Sequence, residues 1–147
     1  MFADFLSRLT APAPDPLTED DARLALSALL VRIARADNNY SPAEIDRIDR
    51  ILCARYGLTT FEATHLRHQA ETLESQAPDT VRFTRAIKDA VAYDHRRAVI
   101  EAAWSVVLAD GERASEEDAL MRLIASLLGV NDVDSANARH KAQKDMG

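Results

Sequence analysis

Cysteine occurs once, at Cys53, so no disulfide can close within the chain and a cysteine-rich zinc site is excluded. Only four glycines and five prolines stand among 147 residues, which rules out collagen-like and low-complexity classes. No apolar run approaches the roughly 20 residues that a membrane-spanning helix needs. Positive charge is in deficit. Eighteen Lys and Arg face 24 Asp and Glu, and the net charge of −6 argues against nucleic acid or anionic lipid as the primary partner. The chain also lacks a glycine-rich phosphate loop, a Gly-x-Ser-x-Gly elbow and a His-Glu-x-x-His pair, so the expectation is a protein without catalysis.

What is present suits a soluble globular domain: 47% of residues are hydrophobic and 29% charged. Area scaling for this mass gives a folded surface of roughly 7,500 Å². Phe2, Phe5, Leu6 and Leu9 share one helical face, and Ala11-Pro12-Ala13-Pro14-Asp15-Pro16 then breaks any helix. Residues 1–16 therefore read as an amphipathic arm and a Pro-rich linker, docking either on their own domain or on a partner or membrane surface. The arm lacks the basic leader of a signal peptide, so the expected setting is cytoplasmic. Residues 17–147 read as one helical domain.

No stretch alternates with period two, and the expected class is all-α, a compact bundle of about seven helices. Thr18 opens a helix to about Ala36 with Leu26, Leu29, Leu30 and Ile33 on its buried stripe. Ser41-Pro42-Ala43-Glu44 and Thr59-Thr60-Phe61-Glu62 are capping boxes, and the helix between them, expected to bury Ile45, Ile48 and Leu52, closes at Gly57. Pro78 ends the next. Asp79 caps a helix carrying Phe83 and Ile87, and Asp94 caps one carrying Ile100, Ala103, Trp104 and Val107. Ser115 starts a helix with Leu120, Leu123, Ile124 and Leu127 in its stripe, Gly129 closes it, and Asn131 or Asp132 caps a last one over Val133–Lys141. The basic end from Arg139 to Lys144 reads as a frayed tail.

A shift of 73 residues lays Ala25–Leu52 over Ala98–Ala125 with five identities, among them Ala36/Ala109, Asp37/Asp110 and Glu44/Glu117. Apolar positions pair as well, as in Leu26/Val99 and Ile33/Val106. The spacing suggests an internal duplication of a helix–loop–helix unit, the halves packing about an approximate two-fold axis. In both units an Ala-Asp pair ends one helix and a glutamate lies seven residues on, in the first turn of the next.

Ala36-Asp37-Asn38-Asn39-Tyr40-Ser41-Pro42-Ala43-Glu44 and Ala103 through Ala109-Asp110-Gly111-Glu112 resemble the two signature loops of the TerB-like (tellurite resistance protein B) family. Leu17-Thr18-Glu19-Asp20, Arg82-Phe83-Thr84 and Arg96 ahead of Trp104 fit one bacterial branch of it. The resemblance implies an all-helical, cytoplasmic accessory or interaction module linked to stress, with a protein partner and no established catalysis. It also implies a divalent metal held by Asp37, Glu44, Asp110 and Glu117, with calcium, magnesium and zinc not distinguished. Asn38 stands where the family has glycine, and Ala114-Ser115 where a Pro-containing start is common.

The residues themselves leave this open. Asp37, Asn39 and Ser41 occupy positions 1, 3 and 5 of an EF-hand-like start, but the glycine at position 6 and the acid at position 12 are missing. Glu44 is equally explained as a capping-box residue and Asp37 as a polar helix end. Three readings follow: an interaction module tuned by a metal ion, a metal-free helical adaptor or co-chaperone-associated docking domain, and a metal-dependent hydrolase. Glu62, His65 and His68 read as a solvated helix face, Cys53 as packing, Trp104 as a core anchor, and Arg96 as pairing with the acidic loops.

Overall fold

The computed structural model describes residues 19–35, 40–77, 79–108 and 115–146. Among them the chain forms α1 (Glu19–Ala34), α2 (Pro42–Tyr56), α3 (Thr60–Gln76), α4 (Thr80–Ala90), α5 (Tyr93–Val107), α6 (Ser115–Leu127) and α7 (Asp132–Met146), and no strand. The accessible surface of 7805 Å² is close to the value expected for a chain of this mass. The arm over residues 1–16 and the Thr18 cap lie outside the described residues.

From Ala25 to Ala34 every residue of α1 except Arg32 is buried, so the helix has no solvent face there. That is the pattern of a central helix rather than of an amphipathic surface one. α1 accordingly packs against α2, α3, α4, α5 and α6. Phe83 and Ile87 of α4, Ile48 and Leu52 of α2, Leu73 of α3 and Ile100 of α5 complete the core.

The expected helix boundaries are set by local chemistry. Ser41 Oγ accepts from the Glu44 N–H at 3.2 Å while Glu44 Oε1 accepts from the Ser41 N–H at 3.1 Å, with Pro42 in the first helical position. Thr59 and Glu62 repeat the exchange at 3.1 and 3.0 Å. Asp79 caps α4 through the Arg82 N–H at 2.8 Å, and Asn131 caps α7 through the Asp134 N–H at 2.8 Å. Gly57 and Gly129 end α2 and α6 at φ 65° and 71°. At Gly129 the positive φ favours glycine, and an added Cβ would lie 3.1 Å from Lys88 Cε and 3.2 Å from Arg96 Nη1, so those side-chain ends would have to shift slightly.

Four details depart from the expected pattern. α5 begins at Tyr93 with Ala92 at its N-cap, which makes no side-chain cap; Asp94 instead places its charge in the positive first turn. Ile45 is only half-buried, while Ile48 and Leu52 are fully buried. In α6 the buried stripe is Met121, Ile124, Ala125 and Leu128, leaving Leu123 44% exposed. The rotation aligns Met121 with Ile48 at the same position of α2, so the helix presents the face its duplicate presents. Finally, the C-terminal segment is not frayed: α7 runs to Met146, buries Ala138 and Ala142, and makes its principal contact along α5.

The duplication covers three helices in each half. Shifted by 73 residues, α1, α2 and α3 fall on α5, α6 and α7, whose starts differ by at most one residue. Within each half the first helix packs most extensively on the third, and between halves α1 meets α5. The other contacts between halves are reciprocal: α2 touches α5 while α6 touches α1. Exchange of two equivalent halves requires that pairing. Within the halves, however, α2 packs on α3 without a comparable contact between α6 and α7. α4 has no counterpart and packs on α6 and α1.

Two outcomes follow. Leu29 is fully buried in α1, so Leu29→Ala should cost about 2–5 kcal/mol in urea unfolding, by transfer plus cavity terms. The capping carboxylates of Glu62 and Asp79 sit below their ordinary pKa range, Glu62 because it accepts from the Thr59 backbone N–H and Asp79 because it accepts from that of Arg82. The unfolded chain then binds more protons, so their contribution is complete above the ordinary carboxylate range of about 4 and is lost as pH falls through the lower native values. A Glu62→Gln/Asp79→Asn protein should lose less stability between neutral and acid pH than the parent, measured by urea unfolding at a series of pH values.

Candidate functional site

The first acidic loop is held at both ends by one ionic network. On its N-terminal side Arg32 and Arg35 leave the end of α1 and share Glu74 of α3: Arg32 Nε lies 3.3 Å from Oε1 and Arg35 Nη1 2.9 Å from Oε2. Arg32 also donates to the Glu74 carbonyl at 3.2 Å and stacks over the Phe83 ring. On the C-terminal side Tyr40 donates its hydroxyl to Glu71 Oε2 at 2.6 Å, and Arg35 lies over the Tyr40 ring at 5.0 Å. Arg67 then ties Glu71, at 3.1 Å, to Asp49 of α2, at 2.7 Å.

Burial of these groups matters more than their number. Arg32, Glu74, Arg67 and Asp49 are between 11% and 19% exposed, whereas the outward pair Arg50–Asp46 is 72% and 63% exposed. Tyr40 keeps its proton well above the ordinary tyrosine range, first because it is buried and second because Glu71 accepts that proton. Burial works against the charge of Arg67, but hydrogen bonding and attraction to Asp49 and Glu71 outweigh it and raise its pKa. Composition and periodicity did not reveal this cluster. Its only local sign is the Arg67/Glu71 spacing on one helix face, because the other partners come from distant helices.

Of the four expected metal ligands, Asp37 and Asp110 lie outside the described residues, as does the side chain of Glu117. Glu44 is fully buried and has Oε1 on its own N-cap, as the capping reading requires. The backbone does make Glu44 and Glu117 equivalent, each being the third residue of its helix. Among the described residues no group of three His, Cys, Asp or Glu side chains is arranged to hold a metal. Glu62, His65 and His68 are exposed, Cys53 is half-buried against the core, and Trp104 is 4% exposed.

The halves share one further device. Arg23 and Arg96 are 73 residues apart, and each reaches from the first helix of its unit to the end of the second. Arg96 Nη1 donates to the Leu128 carbonyl after α6, and Arg23 lies over the Tyr56 ring, 4.9 Å from its centre, at the end of α2. Arg96 therefore serves a helix terminus; the acidic loops with which it is expected to pair lie outside the described residues. The ionic network is not shared: Leu108, Arg113, Arg122, His140 and Lys144 stand at the positions of Arg35, Tyr40, Asp49, Arg67 and Glu71.

An all-helical domain built from two three-helix units, with an acid-bearing loop between the first two helices of each, is thus the class the fold defines. The family model described as tellurite resistance protein TerB matches residues 23–140, and the chain belongs to that family. No curated protein and no solved structure matches it. Among the described residues no helix is long and apolar enough to cross a membrane.

Glu74→Ala, which leaves two guanidinium groups without their shared carboxylate, should destabilise the protein by about 1–3 kcal/mol. Asp46→Ala, at the exposed pair, should cost less than about 1 kcal/mol. Chemical denaturation of both variants at low and high salt checks the contrast.

Proposed function

We propose that this protein is a non-catalytic, cytoplasmic interaction module of the TerB type whose paired acidic loops present a binding surface to a protein partner. The observation that carries the reading is the family match over residues 23–140. It is supported by the bracing of Arg35 and Tyr40 on either side of the first loop, which fixes the ends of that loop on a rigid scaffold.

A divalent ion is the second element of the proposal. Asp37, Glu44, Asp110 and Glu117 offer only carboxylate oxygens, a donor set whose chemistry fits a hard cation such as calcium or magnesium better than zinc. When bound, such an ion would supply positive charge that neutralises the loops and links them. The residues themselves orient the site: the capping box holds the Glu44 carboxylate at the start of α2, where one oxygen is already engaged. That engagement favours a second reading, in which the acids serve only to end helices and the module acts as a metal-free adaptor.

Calorimetric titration of the full chain with calcium, magnesium and zinc separates the two. The ion-binding module gives saturable heat that Glu44→Gln weakens by about tenfold or more with its capping geometry retained. Absence of heat and of any thermal shift assigns the acids to capping alone. Metal-dependent turnover of a phosphoester substrate, abolished by Glu44→Gln, would overturn the non-catalytic assignment.

A further inference from the structure

A cleft of about 520 Å³ lies between α2, α5 and α7, and among the described residues that line it Glu44 is absent. Its floor is apolar, made of Ile51, Ala102 and neighbouring alanines, and its rim carries Arg47, Arg55 and Lys141. The one acid on the rim, Glu101, is already 3.1 Å from Lys141. Arg47 and Arg55 have no carboxylate within ion-pair distance among the described residues, although the adjacent Arg50 pairs with Asp46. In a chain of net charge −6, this is a local surplus of positive charge over an apolar floor.

The geometry sets the length of what would fit. Arg47 and Arg55 are eight residues apart on α2, so they bracket the floor at about 12 Å along the helix axis. Arg55 also borders a second cleft of about 500 Å³, lined by Leu26, Tyr56 and His95 among others, and donates to the Tyr56 hydroxyl at 3.2 Å. The two clefts share Arg55 as a lining residue, and their linings run from Ala92, at the N-cap of α5, to Ser105, a span of roughly 20 Å. That exceeds a small metabolite and suits a peptide chain.

We infer that this groove docks an acidic amphipathic segment of a partner protein, with two carboxylates about two helical turns apart meeting Arg47 and Arg55 and apolar side chains between them on Ile51 and the alanine floor. The inference goes beyond the loop surface of the proposed function: it rests on the interaction-module reading alone and adds a second contact, on α2 and α5. Association should be steered by charge and weaken as salt rises.

The test uses the full chain and a fluorescein-labelled helical peptide with glutamates at i and i+7 and leucines at i+3 and i+4. Anisotropy should give saturable binding that weakens with salt. Arg47→Gln/Arg55→Gln should reduce affinity at least about tenfold, while Arg50→Gln leaves it unchanged; circular dichroism confirms that each variant is folded. Equal affinity for parent and double variant overturns the proposal, as does absence of binding at millimolar peptide. Salt-sensitive binding of phosphatidylserine vesicles or single-stranded RNA through the same arginines, with the peptide inert, overturns it in favour of that other partner. Because the peptide titration reads Arg47 and Arg55 and the ion titration reads Glu44, which is absent from the described lining of the groove, a failed peptide titration leaves the ion titration standing, and the reverse holds too.

Discussion

Burial of every residue of α1 from Ala25 to Ala34 except Arg32 is the constraint on which the rest of the structure depends. A helix without a solvent face must be covered on all sides, and here five other helices cover it. Apolar burial supplies the driving force, roughly 1.5–3 kcal/mol for each large side chain removed from water. The same burial requires the polar end of α1 to find partners. Arg32 and Arg35 find them in Glu74, so the central helix also determines where the first acidic loop leaves the core.

The two halves solve the same packing problem with different chemistry. Both use the first helix as the internal wall and join through α1 and α5, and both send an arginine to the end of the second helix. Only the first half adds the network of Arg35, Tyr40, Arg67, Glu71 and Asp49. Tyr40 and the helices around it are therefore tied by directional, charge-assisted bonds, and the second half has apolar or basic residues at the corresponding positions. Divergence of this kind leaves one scaffold with different side-chain chemistry around the corresponding helices of its two halves.

Much of the fold was legible from residues close together in sequence. Ser41 with Glu44, Thr59 with Glu62, Gly57 and Gly129 act within a single turn, so their spacing alone states what they do. The duplication was legible because Asp37/Asp110 and Glu44/Glu117 keep register, though its third helix was not, since α3 and α7 share little beyond length and packing. The Leu123 position was misjudged because a helix rich in leucine on several faces does not declare which face turns inward. Tertiary alignment with α2 decided it. The Arg–Glu network and the Arg47/Arg55 groove were beyond reach because they join helices whose adjacency no local pattern encodes. Of the expected metal ligands, only the capping role of Glu44 could be followed into the structure.

Hydrogen exchange resolved to single amides tests the central claim most directly. If α1 is the element around which both halves close, its amides from Ala25 to Ala34 should be among the slowest in the protein and exchange only with the free energy of global unfolding, together with those of α5 that face them. Exchange of α1 through a partial opening well below that free energy, while α5 and α7 stay protected, would show that the second half stands by itself and would contradict the account.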